Sequence, residues 1–290
     1  LAHLHFPDHT EPTLQKCKRA KFSHAQQNQI NRNLQPISLT ENLTLKTKHI
    51  AKSYGEKQVL KDVSFELHKG TITVLMGTNG SGKTTLFNIL TGFLKADKGE
   101  ALLNGQSVLN KAPHLLNQFG ISRTFQDMRL IGKLTVKENV LLAFPKQQGE
   151  NWWNTLLPNS KVKTEQKQNA EKADELLKLC FIDNVAENKA YEISYGQQKL
   201  LNLACCMAND AEVILLDEPV AGVNPIFRER LTEIIQNLKT QGKAILIIEH
   251  NTDFIEQIAD EILFLNDGVL TRFDNYDTLR NNPQVQEAYI

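Results

Sequence analysis

The sequence has no apolar run close to the ~18 residues that a membrane-spanning helix needs, and no secretory h-region. It has no excess of charge either: 33 Lys and Arg stand against 33 Asp and Glu. A chain so balanced has no strong field to draw in nucleic acid or anionic lipid, so no nucleic-acid partner is expected. Metal-ligand spacing is missing from the cysteines Cys17, Cys180, Cys205 and Cys206. They read as reduced thiols of a cytosolic protein. The expectation is a soluble, cytoplasmic chain. At 290 residues it is long enough for a sizeable core, as one domain with a subdomain or as two small ones.

Residues 1–40 lack apolar periodicity. They hold Gln26-Gln-Asn-Gln29, Asn31-Arg-Asn33 and three prolines, and their histidines are too scattered for a metal site. This stretch is predicted to be a mostly disordered N-terminal extension, followed by a folded domain over 41–290. From Leu43 the pattern changes to short strands. Leu43-Thr-Leu-Lys-Thr47 and Val63-Ser-Phe-Glu-Leu67 alternate, with Tyr54-Gly55 between them. Asn104-Gly105 and Asp267-Gly268 each mark a hairpin turn. Residues of about 127–193 read as helical. Thr135-Val-Lys-Glu138 resembles a capping box, and Ala170, Ala173, Leu176, Leu177 and Cys180 share a helix face. Pro225 suits a first helical turn ahead of the apolar face Phe227, Leu231, Ile234, Ile235 and Leu238. Trp152-Trp153 in a polar loop could anchor it on the subdomain or touch a membrane partner, with anchoring the favoured reading.

The segment Gly77-Thr-Asn-Gly-Ser-Gly-Lys-Thr84 fits G-x-x-x-x-G-K-[ST], the phosphate-binding loop of P-loop NTPases. The apolar run Ile72–Met76 before it reads as a buried strand, and Thr85–Leu90 after it as a helix start. The glycines let backbone N–H groups turn toward a phosphate, and the helix N-terminus adds the positive end of its dipole. Lys83 is expected to reach the β- and γ-phosphates, and Thr84 to bind Mg²⁺. The predicted nucleotide-binding set is Gly77, Asn79, Gly80, Ser81, Gly82, Lys83, Thr84 and Thr85, with ATP and Mg²⁺ as the ligands.

Four later segments say what the nucleotide serves. Ser194-Tyr195-Gly196-Gln197 opens a helical run. By itself that is as readily an ordinary cap as a second anion site. One chain does not need two γ-phosphate sites, but two chains facing each other do. Val213–Leu216 reads as a buried parallel strand ending in Asp217-Glu218. There Asp217 is expected in the Mg²⁺ shell and Glu218 as the general base that polarises the attacking water. Ala244–Ile248 is another buried strand, ending in Glu249-His250, and His250 is placed to hydrogen-bond a γ-phosphate. Gln126 follows a short strand in Ser122-Arg-Thr-Phe-Gln126. A Gln there can touch Mg²⁺ and the water while its loop senses another protein.

In this order the segments resemble the P-loop, Q-loop, signature, Walker B, D-loop (Ala221-Gly-Val-Asn-Pro225) and switch histidine of ATP-binding cassette (ABC) ATPases. The resemblance runs from about Asn42 to Ile290. It is closer to the ATPase subunits of branched-chain amino-acid importers, on Arg123-Thr-Phe-Gln126, Ser194-Tyr-Gly-Gln-Gln198, Ile248-Glu-His250 and Asn282-Pro-Gln-Val-Gln-Glu-Ala-Tyr289. Urea-importer ATPases share several of these. The resemblance implies an α/β fold: a P-loop core with a mostly parallel sheet, an antiparallel β subdomain and a helical subdomain. It implies that Tyr54 stacks on adenine, and that Ser194, Tyr195, Gly196 and Gln197 act in trans on the nucleotide of a second ATPase chain. It implies multi-span permease subunits as partners, an extracellular or periplasmic solute-binding protein indirectly, and a place on the cytoplasmic face of the cell membrane.

The chain departs from the family at Thr78 (usually Pro), Asn251 (often Asp), Tyr195 (usually Gly) and Cys205-Cys206 (usually Arg-Ala). Cassettes of iron–sulfur cluster assembly and of lipopolysaccharide export are alternatives; Tyr195-Gly-Gln-Gln198 argues against the first. DNA-repair heads carry a long coiled-coil insertion, for which the ~110 residues between Lys83 and Ser194 leave no room. Met128, Leu130, Ile131 and Leu134, just after the Q-loop, are expected to form an exposed apolar docking patch.

Overall fold

A computed structural model describes residues 43–125, 128–145, 147 and 160–289. The predicted extension over 1–40, Gln126 and Trp152-Trp153 lie outside the described residues. The described chain begins with β1 (Leu43–Tyr54), β2 (Lys57–His68), β3 (Ile72–Gly77) and α1 (Lys83–Leu90). Then come β4 (Lys98–Leu103), β5 (Gln106–Ser107), α2 (Pro113–Phe119), β6 (Ile121–Arg123), α3 (Val136–Ala143) and α4 (Ser160–Leu179). A further α5 (Tyr195–Met207), β7 (Val213–Asp217), α6 (Pro225–Thr240), β8 (Ala244–Ile248) and α7 (Thr252–Ile258) follow. The last elements are β9 (Glu261–Asn266), β10 (Val269–Phe273), α8 (Tyr276–Arg280) and α9 (Pro283–Tyr289).

All five residues of β7 and all five of β8 are buried. Strands without a polar face need cover on both sides, as in a parallel sheet. They lie inside a six-stranded sheet of order β10-β9-β3-β8-β7-β6, in which only the β10–β9 pair is antiparallel. Successive side chains take opposite faces. Leu75, Val213, Leu215, Leu246 and Ile248 join one core with α1 and the second sheet, which is antiparallel with order β2-β1-β4-β5. Val74, Met76, Ile214, Leu216, Ile245 and Ile247 join the other core with residues of α3 to α9. At about 1.5–3 kcal/mol for each fully buried Leu or Ile, these two layers hold the sheet between them.

The helix starts follow local rules. Thr135 and Glu138 form the capping box of α3. Asn224 caps α6, Pro225 sits in its first turn, and Leu231, Ile234, Ile235 and Leu238 are its buried face. On α4 and just after it, Ala173, Leu177 and Cys180 are buried.

The apolar stretch after the Q-loop divides. Leu130 packs against the core, Met128 and Leu134 are half-buried, and Ile131 is exposed. The exposed patch expected over four residues is thus narrower: Ile131 alone is turned out, Leu130 packs on the core, and Met128 and Leu134 are partly covered.

Candidate functional site

Parallel strands end on the same edge of a sheet, where ligands of open α/β sheets bind. In the register, Asp217 lies opposite Ile248, Leu75 opposite Ile248, and Arg123 opposite Leu215. The phosphate-binding loop after β3, His250 after β8, Asp217 at the end of β7 with Glu218 just after it, and Arg123 on β6 therefore share one edge.

The loop needs its glycines at two close approaches. Gly77 has φ 150°, and a Cβ there would lie 2.1 Å from the Leu265 carbonyl oxygen. Gly82, at φ 108°, would place a Cβ 2.9 Å from Leu60. The Lys83 Nζ donates to the carbonyls of Gly77 and Thr78, both at 2.8 Å, so it folds back along its own loop. Burial lowers its pKa, while the charges of Glu218 and Asp217 act in the opposite sense. The ammonium and both carboxylates therefore share one field. Ser81 Oγ is buried without a hydrogen-bond partner. An orphaned hydroxyl in a glycine-rich loop at a helix N-terminus fits a phosphate oxygen.

Hard oxygen donors suit Mg²⁺, and Thr84 and Asp217 supply two. Among the described residues no group of three or more His, Cys, Asp or Glu could hold a metal by itself. Asp217 is buried, and Arg123 Nη2 donates to its Oδ2 at 2.8 Å. Arg123 Nη1 also donates to Asn88 Oδ1 at 2.7 Å and to Thr91 Oγ1 at 3.2 Å.

Glu218 adopts the left-handed backbone, φ 48°. For a residue with a Cβ this strain is of order 1–3 kcal/mol and needs support from its surroundings. Its N–H donates to Ile248 O at 3.0 Å, and its carbonyl accepts from Ala221 N at 3.3 Å and from Lys199 Nζ at 3.0 Å. Its Oε1 lies 3.2 Å from His250 Nε2. At that distance the imidazole and the carboxylate are in direct hydrogen-bond contact, which fixes the orientation of the Glu218 side chain. Glu249 is buried and accepts from three N–H groups: Val220 (3.1 Å), His250 (3.0 Å) and Asn251 (3.3 Å). It ties the loop after β7 to the loop after β8. Asn251, where the family often has Asp, caps α7 by accepting from Phe254 N at 2.9 Å.

The signature segment stands apart from the phosphate loop. Ser194 caps α5, with the Ser194 and Gln197 side chains each accepting from the other's backbone N–H. Ser194 and Tyr195 are exposed. Gly196 is buried, and a Cβ there would meet the Phe227 ring at 2.4 Å. Among the described residues no hydrogen bond or ion pair joins 194–197 to 77–85. Tyr54, at the end of β1, is 51% exposed and leaves its ring free to stack, with Lys52 Nζ 5.8 Å from its centroid. Cys205 and Cys206 line a groove of about 280 Å³ together with Phe125, Arg129 and Ile131.

Three residues at this edge escaped the sequence reading of roles: Arg123, Glu249 and Lys199. Each is a buried or half-buried charge in or beside an apolar run. That placement is the only sign available in the sequence, since their partners lie far away in the chain.

The geometry agrees with comparisons to known proteins. Residues 60–221 match the protein family described as ABC transporter. The chain is 35% identical over 246 residues to the probable branched-chain amino acid transport ATP-binding protein LivG of Archaeoglobus fulgidus, covering 85% of this chain and 95% of that protein. It is 34% identical over 238 residues to the high-affinity LivG of Escherichia coli, covering 82% and 93%. A nucleotide-free ATP-binding cassette from an ABC transporter superposes with a TM-score of 0.74 at 34% identity, covering 86% of this chain and 99% of that one. A dimeric post-hydrolysis cassette bound to ADP and Pi gives 0.67 at 26% identity, covering 79% and 98%. With the α/β fold, the phosphate loop and the Asp-Glu pair on one sheet edge, the chain belongs to the ABC transporter family, as one of its ATP-binding, ATP-hydrolysing cassettes.

Proposed function

We propose that this cassette powers an importer of amino-acid type, with branched-chain amino acids as the leading solute class. The relatives named above support that class. Residues 41–290 form the cassette, with a helical subdomain at about 127–193, and residues 1–40 are an extension that nucleotide binding does not require. The cassette works on the cytoplasmic face of the cell membrane with multi-span permease subunits. A solute-binding protein delivers cargo on the other side.

In this reading the backbone of Gly77–Thr85 and the Ser81 hydroxyl grip the phosphates of ATP. Lys83 leaves the Gly77 and Thr78 carbonyls for the β- and γ-phosphates. Tyr54 stacks on the adenine. Thr84, Asp217 and Gln126 would hold Mg²⁺, which when bound would neutralise charge on the transferring phosphoryl group. Glu218 orients and deprotonates the attacking water, and His250 steadies Glu218 and the γ-phosphate. Ser194, Tyr195, Gly196 and Gln197 complete the site of a second cassette, a homodimer partner or a sister subunit.

The observation that carries the reading is the Glu218–His250 pair, 3.2 Å apart, in the same field as Lys83. Glu218→Gln keeps the shape and removes the base. ATP binding should persist, turnover should fall about 10²- to 10⁴-fold, and an ATP-bound dimer should accumulate. Near-normal hydrolysis in that variant removes Glu218 from the chemistry. Co-purification of the cassette with a multi-span permease, and loss of amino-acid uptake on its deletion, test the transport class.

A further inference from the structure

Among the described residues Lys199 is a buried cation that pairs with no carboxylate. It lies on α5, five residues after Ser194, and is 5% exposed. Among the described residues its ammonium makes one hydrogen bond, to the backbone carbonyl of Glu218 at 3.0 Å, and lies 5.7 Å from the centroid of the Tyr195 ring. A lysine placed there only to fill space would do better as Met or Leu, because burying an ammonium costs free energy unless its acceptor matters. The acceptor it has belongs to the one non-glycine residue of this site held at positive φ.

The turn that carries Glu218 touches α5 a second time. A Cβ on Gly222 would lie 3.3 Å from the Tyr195 ring. So the helix that begins at Ser194 touches residues 218–222 at two points, one polar and one apolar. On its other side the same turn presents the Glu218 carboxylate to His250.

We propose that Lys199 is a positioning residue for Glu218. It fixes the strained turn from behind, and it ties the base in one nucleotide site to the helix whose N-terminus closes on the nucleotide of the other chain. The proposal rests on the reading of Glu218 as the base. Through Lys199, movement of Ser194 and Tyr195 on closure is felt at the Glu218 carbonyl of the same chain. Each site is thereby informed of closure at the other.

The test uses the full chain. Lys199→Met keeps length and removes charge, Lys199→Gln keeps a donor, and Lys199→Arg keeps donor and charge. The readouts are kcat, KM for MgATP, the Hill coefficient for ATP, and the Kd of a fluorescent ATP analogue. A displaced catalytic group costs up to about 10²-fold for ~1 Å of misplacement. Lys199→Met should therefore lower kcat about 10- to 100-fold, move KM and Kd less than about twofold, and bring the Hill coefficient toward one. Lys199→Arg should restore most of the loss. In a Glu218→Gln background, single-turnover rates with and without Lys199→Met should agree within about twofold, because both changes act on one group.

Two results overturn the proposal. One is kcat and Hill coefficient unchanged in Lys199→Met. The other is a loss of equal size in the Glu218→Gln background. Should Lys199→Met fail to fold, Lys199→Leu, which also removes donor and charge, is read against the same criteria. Near-normal hydrolysis by Glu218→Gln alone strikes the base reading instead. The link is then decided by the Hill coefficient of Lys199→Met, where an unchanged value refutes it.

Discussion

Arg123 holds Asp217 in an ion pair of 2.8 Å, with the two side chains 6% and 5% exposed. The guanidinium sits between the rings of Phe87 and Phe125, at 5.4 and 4.9 Å from their centroids, and also bonds Asn88 and Thr91. One charge thus joins the ends of β6 and β7 to the back of α1, under the phosphate loop. Removing one partner of a buried pair leaves a bare charge and costs about 3–5 kcal/mol. Arg123→Ala should lower the unfolding free energy by about that amount in urea titrations. Arg123→Lys should recover only part of it, since an ammonium lacks the planar fork that reaches three acceptors. A loss below about 1 kcal/mol would mean that Asp217 finds water or another donor at once.

Glu249 gives a second, separable prediction. Its carboxylate is the acceptor for the N–H groups of Val220, His250 and Asn251. An N–H left unpaired in the interior costs about 1–3 kcal/mol. Glu249→Ala should therefore destabilise the chain by at least about 2 kcal/mol. Hydrogen exchange should speed up at those three amides while the amides of β3 stay protected. Uniform exchange across the sheet would show that Glu249 supports the whole core and not the joint between two loops.

The buried thiols set an alkaline limit. Burial pushes Cys180 and Cys206 up to about 12. In the unfolded chain a thiol titrates near its ordinary value of about 8.5. Between these values the unfolded state has lost the proton and the folded state has kept it. The stabilisation is therefore complete below about pH 8.5 and is lost as pH rises toward 12, at up to about 1.4 kcal/mol per pH unit for each thiol. Denaturation at pH 8 and pH 10 should show the decline, and a Cys180→Ala, Cys206→Ala variant should decline less steeply. At pH 8, iodoacetamide should leave Cys180 unmodified in the native protein and alkylate it in urea. Fast native alkylation at Cys180 would contradict its burial.

What could be read from the sequence was what is local. Ile72–Met76, Val213–Leu216 and Ala244–Ile248 are legible as buried strands because both faces are covered, so no polar alternation interrupts them. The capping box at Thr135, the first-turn Pro225 and the hairpin turn at Asp267-Gly268 are legible because they are satisfied within a few residues. The strand order was not legible, because it depends on which distant runs pair. Arg123 and Asp217 lie 94 residues apart, and nothing near either one announces the other. Gly196 reads as a glycine of a helix N-terminus at an anion site, whereas its local constraint is the Phe227 ring of α6 pressed against it. Thr78, a departure from the family's Pro, keeps its carbonyl on Lys83. The substitution leaves that contact intact because the contact is made by backbone.

The exposed residue of the stretch read from the sequence as a docking patch rests on one buried amide. Asn139 is 6% exposed, accepts from Ile131 N at 2.8 Å, and donates to Ile131 O at 3.2 Å. This bracket fixes the backbone of Ile131 and turns its side chain outward, where it is 50% exposed. Leu142, 58% exposed, lines the same groove. A rigidly held apolar group on a groove wall costs little ordering entropy when a partner covers it. Ile131→Glu should leave the melting curve and the ATPase of the isolated subunit unchanged, because exposed substitutions stay within about 0.5 kcal/mol. It should weaken co-purification with the permease about tenfold or more, since a glutamate buried at an apolar contact has no partner. Leu130→Glu should behave differently: Leu130 packs on the core, so it should lower stability first. If Ile131→Glu assembles normally while Leu130→Glu merely unfolds the subunit, permease docking lies elsewhere on the cassette.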